Sequence, residues 1–171
     1  MKKILLAAVL ASACSPAAFA AGEAKNVIFF LGDGMGPTTV TAARIYKYKE
    51  EGALNMEKLD GNTRTARIKT YSNDAQTTDS APSMAAYMTG VKMNNEVLSM
   101  SADTKAIKPN GKDSNCPATG NGTPVDTILE LAKAKGKSVG AVTTTTVTHA
   151  TPAATYSHIC HRDAENAIAA Q

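Results

Sequence analysis

The stretch that most limits what this chain can fold into is Asn26-Val27-Ile28-Phe29-Phe30-Leu31, an apolar run cut off abruptly by Gly32-Asp33-Gly34-Met35-Gly36-Pro37. An apolar run of this length without polar alternation reads as a strand buried on both faces. Helical periodicity follows from Thr38 to Glu51, with Pro37 in the first turn and Gly52 at the stop. Strand, glycine-rich turn and helix make half of a βαβ unit. Ligands of such sheets bind beyond the carboxyl ends of the strands, which is where Asp33 falls. The turn is not a dinucleotide fingerprint, because the third glycine of G-x-G-x-x-G is absent.

The same alternation continues. Ala66 to Tyr71 reads as a strand, and Thr77-Thr78-Asp79-Ser80-Ala81-Pro82 opens a short helix that Gly90 closes. Met93 to Met100 holds a further short strand, with a turn at Asn94 and Asn95 before it. Ser101 to Gly122 is polar and aperiodic, a long loop of the kind that inserts or walls a site. Thr123-Pro124-Val125-Asp126 carries helix-start signals. Ile128, Leu129, Leu131 and Ala132 supply that helix's apolar face, and Gly136 ends it. Ser138 to Val147 is rich in Val and Thr, a strand by propensity. Pro152 to Ala170 reads as one or two helical segments. The order predicts an α/β fold, a mainly parallel sheet with helices on both faces, left incomplete at the C-terminal end where the last helix runs into Gln171 without a cap.

Met1-Lys2-Lys3, the apolar run Ile4 to Ala13 and Ala18-Phe19-Ala20 have the pattern of a cleavable secretory signal peptide over residues 1–20. A lipoprotein reading at Cys14 is weaker, because Ala11 stands where an aliphatic residue such as Leu is wanted. The apolar run is too short to span a bilayer. The expected location is periplasmic or secreted, with residues 21–171 forming part of one α/β domain. The whole chain has 18 Lys and Arg against 15 Asp and Glu, and removal of Lys2 and Lys3 brings the balance closer to neutral. That excludes the broad basic face that general nucleic-acid binding requires. Cys116 and Cys160 remain after processing. A bridge between them is allowed in an oxidising compartment, and so are a loose thiol or a partner elsewhere.

Several residue types that carry chemistry fall at the ends of these elements. Asp33 can reach a cation from its glycine-flanked turn, or it can stabilise that turn. Ser80 sits at a helix start, where N–H groups and the dipole favour a bound phosphate; Asp79 or Ser80 can equally serve only as a cap. His149 and Thr151, two residues apart at a strand end, can face the same way. Arg162, about three helical turns later, can present a planar fork to phosphate oxygens. His158-Ile159-Cys160-His161 lacks the second pair that a structural zinc site needs.

Taken together, Asn26 to Gly36, Thr78-Asp79-Ser80-Ala81, Thr89-Gly90-Val91-Lys92 and His149-Ala150-Thr151-Pro152-Ala153 strongly resemble the alkaline phosphatase family, in the right order. The resemblance covers the chain after the signal peptide and implies the family's fold and its hydrolysis of phosphate monoesters through a phosphoserine. It implies two zinc ions and one magnesium ion as cofactors. Asp33 would bridge the magnesium and one zinc, Ser80 would be the nucleophile and a metal ligand, and Asp79 would orient Arg162 on the phosphate. Thr151 would bind magnesium, and His149 would stand beside that site. Small phosphomonoesters and inorganic phosphate are the implied partners, with a homodimer allowed. The family's remaining zinc ligands and a magnesium-binding glutamate come from further along its chains and have no counterpart here, so a phosphate- or metal-binding module without turnover is the alternative. Met84 and Ala85 depart from the small and threonine residues more usual after the serine.

Overall fold

The computed structural model describes residues 25–58 and 66–171. The signal peptide and the reading at Cys14 lie outside the described residues. Residues up to Leu31 and those from Gly32 onward form two separate units. In the first, residues 26–31 have no regular secondary structure and their apolar side chains are exposed, Val27 at 80% and Phe30 at 88%.

In the second unit, α1 (Pro37–Tyr48) begins with Pro37 in its first turn, as the sequence predicts. It ends short of Glu51. Lys49 turns to φ +61° and its N–H donates to the Ile45 carbonyl, which stops the helix before Gly52 is reached. A short 3-10 turn, Asn55–Lys58, is tied back to α1 by Arg44 and Glu57, whose carboxylate also accepts the Leu54 N–H.

Helix α2 (Ser80–Thr89) is the centre of the core. Asp79 caps it by accepting the Ala81 N–H at 2.6 Å, and Gly90 ends it at φ +73°, a conformation that suits a residue without a Cβ. Its small face lets the chain come close: Ala81 and Ala85 are fully buried beside Met84 and Met88. Ala150 and Ala153 of α4 (Ala150–Ala153) join the same core. Leu98 and Ile159 pair through both backbone hydrogen bonds of one antiparallel bridge and are buried with Val97.

Helix α3 (Ile128–Ala134) starts later than Thr123-Pro124-Val125-Asp126 suggests. Thr127 is its cap, in a reciprocal capping box with Glu130. Thr127 is fully buried, and its hydroxyl also donates to the Thr155 carbonyl, which anchors the helix start to the core. Pro124 instead pairs across from Met100, so the upstream Thr-Pro signal is used in extended chain. The segment after Pro152 forms two helical pieces, α4 and α5 (Glu165–Ala169), joined by irregular chain. Arg162 lies in that connection and not on a helix.

The mainly parallel sheet that the sequence predicts is not established by the described residues. Among the described residues no strand forms: 26–31, 66–71 and 138–147 carry no ladder, and the pairing seen consists of isolated antiparallel bridges. Val142 is fully exposed. Pattern and propensity give a segment an extended bias, but a strand exists only when a neighbour takes its hydrogen bonds and covers its faces. The loop 101–122 is held without regular structure. Asn121 exchanges two side-chain hydrogen bonds with the Lys105 backbone, and a disulfide joins Cys116 to Cys160. Of the alternatives open for these cysteines, the bridge is the one realised.

Candidate active site

The site grows from the cap of α2. The two carboxylate oxygens of Asp79 divide the work. Oδ1 accepts the Ala81 N–H and an N–H from Arg162 Nη1 at 3.0 Å, while Oδ2 accepts the Glu96 N–H at 2.6 Å. A single side chain thus caps the helix and hydrogen-bonds the arginine. Ser80, the first residue of α2, is free to point its hydroxyl outward, and Oγ donates to Asp33 Oδ1 at 3.2 Å.

Asp33 is presented by a tight turn. The Met35 N–H donates to the Gly32 carbonyl, and Gly34 sits at φ +65°, where a Cβ would be strained. Its second oxygen, Oδ2, accepts the Thr151 hydroxyl at 2.6 Å. Three segments therefore meet on one carboxylate, each hydroxyl taking a different oxygen.

His149 and Thr151 do not face the same way. A helix begins at Ala150, with His149 as its cap position, and two residues apart on a helix point to different sides. Thr151 goes to Asp33. His149 goes to Arg162, with Nε2 and Nη2 3.2 Å apart. A guanidinium can only donate, so Nε2 accepts and the ring proton belongs on Nδ1. That Nδ1 is buried and has no protein hydrogen-bond partner.

Arg162 is consequently held from several sides. Beyond Asp79 and His149, its backbone N–H donates to the Glu96 carbonyl at 2.8 Å, and Nε lies 4.0 Å from Glu96 Oε2. Burial, with Asp79 next in size, pushes the Glu96 carboxyl above the usual glutamate range, while His161 and Arg162 work the other way. Asn95 accepts the Asp79 N–H through its side chain at 3.3 Å. Glu96 and Asn95 were missed by sequence reasoning. Asn95 reads as a turn residue, and no periodicity or motif marks Glu96.

The remaining histidines stand apart from Asp33. His158 is bound at both ring nitrogens, to the Ser99 carbonyl at 2.7 Å and to Glu130 Oε1 at 2.9 Å, which braces α3. His161 is buried, and Glu96, His161 and Asp163 bring one ligand atom each within 4.8 Å of one another. A cleft of about 240 Å³ between Ile68–Ser72 and Pro82, Ser83, Ala86 and Tyr87 contains none of the predicted site residues.

The donor set around Asp33 is one carboxylate and two hydroxyls, all oxygen. That chemistry fits a hard divalent cation such as magnesium. Zinc draws on imidazole nitrogen as well, and among the described residues no imidazole reaches Asp33: His149 already accepts from Arg162. The site as built thus fits magnesium and supplies only some of the ligands that a zinc ion takes.

The family model for alkaline phosphatase matches residues 24–171. The chain is 48% identical over 146 residues to the tissue-nonspecific alkaline phosphatase isozymes of Mus musculus and Homo sapiens, covering 82% of this chain and 26% of each of those proteins. It is 46% identical to the alkaline phosphatase of Gadus morhua, of which it covers 28%. The chain spans about a quarter of the length of these relatives. Among solved structures, alkaline phosphatase from the Antarctic bacterium TAB5 superimposes with a TM-score of 0.62 at 28% identity, covering 81% of this chain and 33% of that one. The Thermus thermophilus alkaline phosphatase gives 0.59 at 34% identity, covering 78% and 24%. A variant of the TAB5 enzyme, TM-score 0.58, carries Mg bound in its M3 site. With a match along nearly the whole of its described length, the chain belongs to the alkaline phosphatase family.

Proposed function

We propose that this chain carries the nucleophile and phosphate-clamping part of an exported, metal-dependent phosphomonoesterase that works through a phosphoserine. The observation that carries the reading is the convergence of Ser80 and Thr151 on the two oxygens of Asp33, beside a guanidinium fixed by Asp79.

In this reading Ser80 Oγ attacks the phosphorus of a monoester, the P–O bond to the alcohol breaks, and the alcohol departs. Water then displaces the serine and releases inorganic phosphate. Ser80 Oγ–H faces Asp33 Oδ1, and its place at the first turn of α2 gives the developing anion the positive end of a helix. Arg162 neutralises charge on the non-bridging phosphate oxygens. Asp33, Ser80 and Thr151 would hold divalent ions, with His149 beside the magnesium, and the proposed complement is two zinc ions and one magnesium ion. When bound, such ions supply Lewis-acid stabilisation of the attacking and leaving oxygens. Phosphate monoester hydrolysis needs accelerations of up to about 10²¹-fold, more than a serine and an arginine supply alone.

The mainly parallel sheet belongs to the same proposal, with 26–31, 66–71 and 138–147 as strands in a protein of the relatives' length. So does a periplasmic or secreted location after removal of residues 1–20, which the Cys116–Cys160 bridge suits. Among the described residues no helix is long and apolar enough to cross a membrane. The proposed partners are small phosphomonoesters and inorganic phosphate, with homodimerisation as a further step.

Phosphoserine trapping tests the reading. In a protein extended to the relatives' length, acid quench and peptide mass spectrometry place the phosphate on Ser80, and Ser80→Ala abolishes it. Stable phosphate on another residue refutes the assignment. A second reading, binding without turnover, is favoured by the chain's covering 26% of its mammalian relatives. Assay of the 171-residue chain with zinc and magnesium separates the two, and robust metal-dependent turnover by this chain removes the binding-only view. The expected result is little turnover.

A further inference from the structure

Glu96 links the α2 cap Asp79 to Arg162, and the proposed function assigns it nothing. Its N–H donates to Asp79 Oδ2 at 2.6 Å, its carbonyl accepts the Arg162 N–H at 2.8 Å, and its carboxylate faces Arg162 Nε at 4.0 Å. It does this at φ +70°, a conformation that carries a steric cost for any side chain and none for glycine. Its side chain is 39% exposed and that of Arg162 17%, so the pair is only partly screened by water.

Counting donors shows what this does. A guanidinium has five N–H groups in a fixed plane. Asp79 takes one from Nη1, His149 takes one from Nη2, and Nε lies 4.0 Å from Glu96 Oε2, an ion pair longer than a hydrogen bond. One N–H on each Nη is left over. Asp79 and His149 alone would let the group pivot about their two contacts, and a carboxylate on the Nε side draws the cation one way about that pivot.

We propose that Glu96 is the positioning residue of Arg162: its backbone ties the cap of α2 to the arginine's own main chain, and its carboxylate holds the Nε edge so that the two remaining Nη N–H groups are presented to a phosphate. The proposal rests on the phosphatase reading of Ser80 and Arg162. The ligand atoms of Glu96, His161 and Asp163 also lie within 4.8 Å of one another, but the Glu96 carboxylate has Arg162 as its ion-pair partner and the Asp163 carboxylate lies 3.9 Å from His161.

The test uses the 171-residue chain labelled with ¹⁵N-arginine. The Arg162 Nε–H resonance is identified by its loss in Arg162→Lys. Glu96→Gln removes the charge, and Glu96→Gly removes the side chain while suiting φ +70°, so the glycine variant keeps the backbone contacts and its thermal midpoint stays at or above that of the parent. The expected result is a distinct Arg162 Nε–H signal in the parent that collapses toward the averaged position of mobile arginines in both variants. With zinc and magnesium present, the Kd for inorganic phosphate rises about three- to tenfold in both variants, as expected when one more side chain must be ordered on binding. An unchanged signal in the variants, unchanged or tighter phosphate binding, or a lowered midpoint for Glu96→Gly overturns the inference, the last by making Glu96 a folding residue. If phosphate binds no version of this chain, the comparison of signals without phosphate still decides the role of Glu96, and phosphoserine trapping in the longer protein decides the phosphatase reading.

Discussion

Thr151 and Asp33 are 118 residues apart in sequence, and the threonine hydroxyl donates to the aspartate's Oδ2 at 2.6 Å. This hydrogen bond brings a second hydroxyl onto the Asp33 carboxylate. Ser80 occupies the other oxygen, so neither carboxylate oxygen of Asp33 is left to solvent alone. Removing the hydroxyl at 151 unlocks one side of the carboxylate.

Thr151→Val therefore weakens magnesium binding, by about 10-fold in keeping with the loss of one orienting or ligating group, and Asp33→Asn weakens it further. Isothermal titration of the chain with magnesium measures both. Equal affinity in parent and Thr151→Val refutes the pocket.

Asp79 is both cap and counterion, and its two roles separate by substitution. Asp79→Asn keeps an oxygen for the Ala81 N–H, loses the charge opposite Arg162 and puts an amide NH2 where Oδ2 accepts the Glu96 N–H. Asp79→Ala loses both and strands the Glu96 N–H. An N-cap alone contributes about 1 kcal/mol, so the alanine variant is expected to lose about 2 kcal/mol or more and the asparagine variant less. Urea unfolding followed by circular dichroism gives the order.

The Cys116–Cys160 bridge closes a loop with a sequence separation of 44 and ends two residues before Arg162. In the chain-entropy account a loop of that size is stabilised by about 4 kcal/mol. Paired Cys116→Ser and Cys160→Ser substitutions are expected to lower stability by about 2–4 kcal/mol, and reduction of the parent by a phosphine does the same. Thermal melts with and without reductant check it.

Glu130 connects the α3 capping box to His158. Burial pushes its carboxyl up, but hydrogen bonds from His158 and from Thr127 outweigh that, and the net effect holds it below the ordinary 4.5 of a glutamate. A carboxyl lowered by folding stabilises the native state above its unfolded pKa, and that contribution is lost as pH falls through the folded value. Stability is therefore expected to drop as pH falls below about 4.5, with a shallower drop in Glu130→Gln. Urea midpoints between pH 3 and 6 for the two proteins decide it.

What was legible in the sequence is what local chemistry controls. Helix α2 runs from its Asp79 cap to Gly90 as its residues dictate, because a cap, an early proline and a left-handed stop act over one turn. The residues that meet around Asp33 were legible as motif matches, each placed at the end of an element.

Tertiary structure alone decided the rest. Thr127 took the start of α3 from Thr123, because Glu130 completes its capping box and its hydroxyl is needed on the Thr155 carbonyl. His149 turned to Arg162 while Thr151 turned to Asp33, since a helix starts between them. Glu96 entered the site through its backbone, which no side-chain pattern reports. The segments 26–31, 66–71 and 138–147 have the composition of strands and remain without a ladder, for a strand is a relation between segments and a sequence specifies only one side of it. Short-range signals write caps and stops into the chain directly, whereas pairing, facing and burial depend on which distant residues arrive.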